Sequence, residues 1–127
     1  MLKFISPMLT TNDLKASVDF YTNILEFECS AYEESWGWAC LYKDNIQIMF
    51  ASPNAHDTAY VRPIFTGSLY IYTNEVDAWW LKLKDKCRVL YPIEDFEYNM
   101  REFCILDNND YRLQYGMTIN NLAEKAV

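Results

Sequence analysis

Two stretches of this chain share one pattern of apolar and polar positions. Ser6-Pro-Met-Leu-Thr-Thr-Asn-Asp-Leu-Lys-Ala aligns without gaps to Ser68-Leu-Tyr-Ile-Tyr-Thr-Asn-Glu-Val-Asp-Ala, and Ser6 to Ser68, Asn12 to Asn74 and Ala16 to Ala78 are each 62 positions apart. In both copies a strand-like run ends at Thr-Asn-acid, which reads as a helix start. Asn12 and Asn74 are the expected N-caps, with the following acid suited to the positive end of the helix dipole. Downstream, Leu14, Val18, Tyr21 and Leu25 fall at i, i+4, i+7 and i+11, and Val76, Trp80, Leu83 and Cys87 repeat that spacing. Each set is one helical face that packs on a sheet.

Strand-like runs follow each helix. In the first half they are Phe27 to Tyr32, Trp36 to Lys43 and Ile46 to Ala51, the last two joined by the hairpin signal Asp44-Asn45. In the second half they are Arg88 to Tyr91, Met100 to Leu106 and Tyr111 to Tyr115. Asp107-Asn108-Asn109-Asp110 makes the turn there, with Asn expected to supply left-handed conformations. Matching the turns pairs Met49 with Gln114. The expected fold class is therefore α+β, a tandem of two βαβββ modules in one domain. Module one spans about 2–51, the linker 52–65, module two 66–117 and a tail 118–127. One helix shields only one face of its sheet. Two modules side by side would give a cupped mixed sheet around a cavity, with the helices outside and function inside.

Composition narrows the function. About half of the 127 residues are hydrophobic and 23% are charged, enough to bury a core. A net charge of −7 argues against nucleic acid, which needs clustered Lys and Arg, and favours a neutral or cationic ligand. Aromatics make up 17%, more than a small core needs, which points to a ligand pocket or a subunit contact. Cys29, Cys40, Cys87 and Cys104 are scattered, and no secretory signal peptide is recognisable. Reduced thiols in the cytoplasm are expected. No apolar run approaches the ~20 residues that cross a bilayer, so no membrane partner is expected.

Several motifs resemble the glyoxalase/bleomycin-resistance/dioxygenase superfamily. Asn12-Asp13-Leu14-Lys15-Ala16-Ser17-Val18-Asp19-Phe20-Tyr21, followed by Ile24-Leu25-Glu26-Phe27-Glu28, is similar to the family's opening helix and next strand. Arg101-Glu102-Phe103-Cys104-Ile105-Leu106-Asp107, then Tyr111-Arg112-Leu113-Gln114-Tyr115, resembles its last hairpin, and the Arg-Glu-Phe form is particularly like bleomycin-resistance proteins. The resemblance spans roughly residues 3 to 117. It departs at the last turn, where Asp107-Asn108-Asn109-Asp110 replaces the usual Asp-Pro-x-Gly type of sequence.

Catalytic members of that superfamily hold a divalent metal on His, Glu or Gln. The resemblance carries those positions to Ser6, approximately Met49, Ser68 and Gln114, of which only Gln114 offers an ordinary ligand. A metal site needs about three or four converging donors, and His56, the only histidine, lies in the linker. Four scattered Cys with one His make no evident catalytic pair, and Gly37, Gly67 and Gly116 make no phosphate loop. Glu94, Asp95 and Glu97 read as a solvated loop, and nothing specific favours Glu102 or Asp107 as an acid or base. The expectation is no metal, no cofactor and no catalytic residue.

Strand alternation then assigns the cavity lining. If Ser6 and Ser68 face it, so do Met8, Thr10, Tyr70 and Tyr72, while Leu9, Leu69 and Ile71 pack under the helices. Trp36, Trp38, Cys40 and Tyr42 share a face opposite Gly37, Ala39 and Leu41. Gln47 pairs with Met49, and Arg112 with Gln114; Arg101 and Phe103 are expected to join them. The linker should lie at the mouth, bringing His56 or Tyr60 to the ligand. The candidate ligand-binding set is Trp36, Trp38, Met49, Ser68, Tyr70, Arg101, Phe103 and Gln114. The resemblance implies a homodimer that sequesters an aromatic or cationic organic molecule, such as an antibiotic. The alternatives are a metal-dependent glyoxalase- or dioxygenase-type enzyme with an atypical site, and an interaction module with a collapsed cavity.

Overall fold

The repeated Thr-Asn-acid step does the same work in both halves. The Asp13 amide donates to Thr11 Oγ1 at 3.1 Å and the Glu75 amide to Thr73 Oγ1 at 3.0 Å, turning the chain from strand into helix. The helices α1 (Leu14–Asn23) and α2 (Val76–Leu83) follow at once. Their caps lie one residue later than expected: Asp13 rather than Asn12, and Glu75 rather than Asn74. The Asp13 carboxylate accepts from the Ala16 amide at 3.0 Å, so the acid itself is the cap in the first half.

The computed structural model describes residues 1–54 and 62–120, so His56, Tyr60 and the tail beyond residue 120 lie outside the described residues. It divides into two units, 1–64 and 65–127. The first contains α1 and strands β1 (Met8–Thr10), β2 (Glu28–Glu33), β3 (Trp38–Lys43) and β4 (Ile46–Ala51), ordered β1-β4-β3-β2. The second contains α2 and strands β5 (Leu69–Tyr72), β6 (Arg88–Phe96), β7 (Met100–Leu106) and β8 (Arg112–Thr118), ordered β5-β8-β7-β6. In each sheet the first strand pairs in parallel with the last, and the other pairs are antiparallel. The fold is α+β with two tandem βαβββ units, as the repeat requires.

Each helix covers one face of its own sheet. In the first unit Ala39, Leu41, Ile48 and Phe50 are buried on that face, and Tyr21 packs edge-on against Phe27 and Phe50. In the second, Phe103 stacks on Tyr115 at 5.1 Å while Trp80 and Trp79 of α2 cover them at 5.2 and 5.6 Å. Part of the aromatic excess is therefore helix–sheet core.

Three local expectations are corrected. β3 begins at Trp38, because Glu34–Trp36 form one 3-10 turn that ends on Gly37 in a left-handed conformation, leaving Trp36 exposed. β6 runs on to Phe96, so Glu94 and Asp95 lie in a strand rather than a loop. In the last turn Asp110, not Asn108 or Asn109, takes the positive φ, and the Asp107 carboxylate ties the turn by accepting from the Asn109 and Tyr111 amides. No helix among the described residues is long and apolar enough to cross a membrane.

Candidate functional site

The face of the second sheet away from α2 is set by strand alternation. Phe103 and Ile105 of β7 point to α2, so Glu102 and Cys104 point the other way. Cys104 sits opposite both Gln114 of β8 and Tyr91 of β6, and Gln114 lies opposite Tyr70 of β5. Glu94 and Phe96 join this face opposite Glu102 and Met100. One face of one sheet thus gathers Tyr70, Tyr91, Phe96, Glu102 and Gln114.

Glu102 is the hub. Its side chain is buried at 1% exposure, and its carboxylate accepts four hydrogen bonds. Oε1 takes the hydroxyls of Tyr70 at 3.0 Å and Tyr98 at 2.7 Å, while Oε2 takes the Tyr91 hydroxyl and the Gln114 amide, the latter at 3.0 Å. The Gln114 amide also donates to the Tyr91 hydroxyl at 2.7 Å, and Gln114 Oε1 accepts from Ser68. Gly116 makes this geometry possible, since the Tyr70 ring crosses the place where a Cβ would stand.

Burial by itself would raise the Glu102 pKa. The hydrogen bonds from Tyr91, Tyr98, Tyr70 and Gln114 outweigh it and hold the carboxyl below its ordinary value. The tyrosines move the opposite way. Loss of solvation and then donation to Glu102 raise Tyr70 and Tyr91 and push Tyr98 up to about 12. Good acids and bases have pKa values near the working pH. Here the carboxyl is driven down and the phenols up, so the cluster is a fixed anion in an aromatic frame, ill suited to moving protons. The nearby Cys104 thiol is buried and pushed up to about 11, which makes it a poor nucleophile.

Ser68, Tyr70 and Gln114, three residues singled out from sequence, fall in this network. Trp38 and Met49 lie at the matching places of the first unit, where Cys40 sits opposite Met49 and Met49 opposite Met8. Trp38 corresponds to Glu102 and Met49 to Gln114, so the first half carries apolar residues where the second carries the network. The expectation that Arg101 and Phe103 share the Gln114 face is corrected. Phe103 is fully buried under α2, and Arg101 reaches Asp77 of α2 at 3.2 Å and Asp95 at 2.7 Å. Their odd positions alternate with Glu102 and Cys104, which puts them on the helix side. Trp36 stands on its 3-10 turn, outside the strand.

Sequence reasoning weighed Glu102 only as an acid or base and missed Tyr91 and Tyr98. Two signals were available: a glutamate inside the apolar strand Met100–Leu106, and a glycine inside the strand ending at Thr118. A separate open cleft of about 390 Å³ lies by the β3–β4 hairpin of the first unit, lined in part by Phe4, Ile5, Tyr42 and Gln47, and it contains no residue of the expected set.

The donor set does not fit a divalent metal. Ser68 and Gln114 are spent on each other and on Glu102, and Met49 is a thioether. No group of three His, Cys, Asp or Glu converges among the described residues.

Comparison with known proteins places this geometry. A family model described as the Glyoxalase/Bleomycin resistance protein/Dioxygenase superfamily matches residues 3–115. A superfamily member from Sphaerobacter thermophilus has a similar structure, with TM-score 0.79, 15% identity, and coverage of 92% of this chain and 98% of that one. The bleomycin-binding protein of Streptomyces verticillus, solved with copper(II)-bleomycin, aligns at TM-score 0.65 and 21% identity over 93% and 98% of the two chains. A lactoylglutathione lyase from Agrobacterium tumefaciens aligns at TM-score 0.69 and 14% identity over 94% and 95%. At these identities the structures share the fold. No curated protein matches the sequence.

Proposed function

The chain belongs to the glyoxalase/bleomycin resistance protein/dioxygenase superfamily, and from that membership we propose that it is a metal-free protein that binds and sequesters a small organic molecule. The observation that carries this reading is the buried, ionised Glu102 on the face of the second sheet away from α2, ringed by Tyr70, Tyr91 and Tyr98. A flat or extended ligand stacks on such rings, while Ser68, Gln114 and the phenol oxygens fix its orientation. Trp38 and Met49 hold the matching positions of the first unit as apolar side chains. The ligand is an aromatic or cationic compound, with an antibiotic as the model case, since one protein of similar structure was solved with copper(II)-bleomycin. The same reading makes the protein a cytoplasmic homodimer.

Thermal unfolding of metal-stripped protein tests the reading, run alone, with divalent metals, and with a mixed panel of neutral, anionic and cationic aromatics that includes bleomycin. A ligand of the native state at ~100 times its dissociation constant adds ~2.7 kcal/mol. Stabilisation by an organic compound and none by metal supports sequestration. Saturable stabilisation by a metal alone overturns it in favour of an enzyme.

A further inference from the structure

The bonding at Glu102 restricts which ligand this face can hold, and the restriction rests on the binding reading above. A carboxylate has about four lone-pair sites, and Tyr70, Tyr98, Tyr91 and Gln114 occupy four. A primary amine or guanidinium could reach the carboxylate only by displacing one of these donors. Glu102 nevertheless makes no ion pair among the described residues: its neighbour Arg101 is committed to Asp77 and Asp95 on the opposite face, and Arg112, on the Gln114 face, stands four residues along β8 from Gly116, the register partner of Glu102. Glu94, opposite Glu102 in the register, adds negative charge to the same face.

That charge is presented outward through rings. Tyr70 lies 4.9 Å from Tyr72, and Phe96 stacks on Tyr98 at 5.3 Å with 14° between their planes. Tyr70 and Tyr98 donate to the same carboxylate oxygen, so both pairs hinge on one anionic atom. Tyr72 and Tyr98 remain 76% and 59% exposed, so their faces are open to a ligand. A phenol that donates to a carboxylate gains electron density, which strengthens the attraction of its face for cations. We propose that the Tyr70/Tyr72 and Phe96/Tyr98 pairs form a receptor for an organic cation without N–H donors, such as an N-alkylated heteroaromatic or quaternary ammonium group. Such a cation is weakly hydrated, needs no lone pair, and is held by ring faces and by the field of Glu102.

Calorimetric titration of the whole protein with three probes tests this: N-methylquinolinium, neutral quinoline, and 1-naphthylmethylammonium as a cation rich in N–H. N-methylquinolinium should bind about tenfold more tightly than quinoline, and more tightly than the ammonium. Glu102→Gln should remove most of that preference. Because Glu102→Gln also weakens the fold, Tyr72→Leu supplies a second variant at an exposed position, and it should cost N-methylquinolinium several-fold in affinity. Equal binding of quinoline and N-methylquinolinium would overturn the charge inference and leave small-molecule binding standing. Tighter binding of naphthylmethylammonium would overturn the exclusion of N–H donors. Binding of none of the three overturns the receptor, and the mixed panel described above then decides the wider reading by itself.

Discussion

Tyr70 lies across Gly116, and a Cβ at residue 116 would stand 2.6 Å from its Cζ and closer still to its hydroxyl. The ring is held there by its bond to Glu102, so β5 adds to its parallel pairing with β8 a side chain laid over the bare backbone of Gly116. Gly116→Ala should therefore cost about 1–3 kcal/mol by overpacking, seen as a lower denaturant midpoint. Adding Tyr70→Leu should recover part of the loss, so that the double mutant is more stable than the sum of the two single effects. Full additivity would show that the ring and the backbone are uncoupled.

Glu102 gives a second prediction. Glu102→Gln keeps the shape but turns an amide toward donors, setting at least one N–H against a hydroxyl or amide that had an acceptor. A loss of about 3 kcal/mol at neutral pH is expected, given the strength of hydrogen bonds to charged groups. The pH dependence follows from the direction of the shift. A carboxyl whose folded pKa lies below its unfolded value stabilises the fold above the unfolded value, and that contribution is lost as pH falls through the folded one. The gap between wild type and Glu102→Gln should hold at neutrality and shrink below about pH 4.3, the ordinary Glu value. Unfolding curves across that range would show it, and a constant gap would mean that Glu102 titrates alike in the folded and unfolded chain.

The repeat made the fold legible because backbone logic acts locally. Thr11 and Thr73, the helix faces and the hairpins each depend on neighbours in sequence, and the matched registers of Met49 and Gln114 followed from counting back from the turns. The site was less legible because it depends on which parity of a strand faces the helix. Alternation groups Arg101 with Phe103 but does not say which parity of β7 faces the helix; the aromatic core under α2 fixes it, so that Phe103 points in and Glu102 points out. Tyr98 lies just after β6, and no period relates it to Glu102. The tight turn between β6 and β7 brings them together across four residues.

Tyrosine titration gives a third test. Burial, then donation to Glu102, raises Tyr70, Tyr91 and Tyr98, the last to about 12. A group whose folded pKa is raised stabilises the fold below its unfolded pKa, about 10 for tyrosine, and that contribution is lost as pH rises further. Tyr70, Tyr91 and Tyr98 should ionise late by ultraviolet absorbance, and alkaline unfolding should release them. In Glu102→Leu the late phase should move toward the ordinary value. Three titrations unchanged by that substitution would mean that burial alone sets them.

Phe103 separates the two faces of the second sheet. It is fully buried between Trp80 and Tyr115, so Phe103→Ala leaves a cavity beneath α2 and should cost about 3–5 kcal/mol. The rings beyond the sheet are carried by β5 and β6, and Tyr72 and Tyr98 do not touch that core. Affinity for N-methylquinolinium, measured where the variant is still folded, should therefore stay within about twofold of wild type, as expected for sites without shared partners. Tyr72→Leu should do the reverse, weakening binding with little effect on stability. If Phe103→Ala abolished binding in protein that calorimetry showed to be folded, the ligand would have to reach the helix side of the sheet, and the assignment of the site to the Glu102 face would fail.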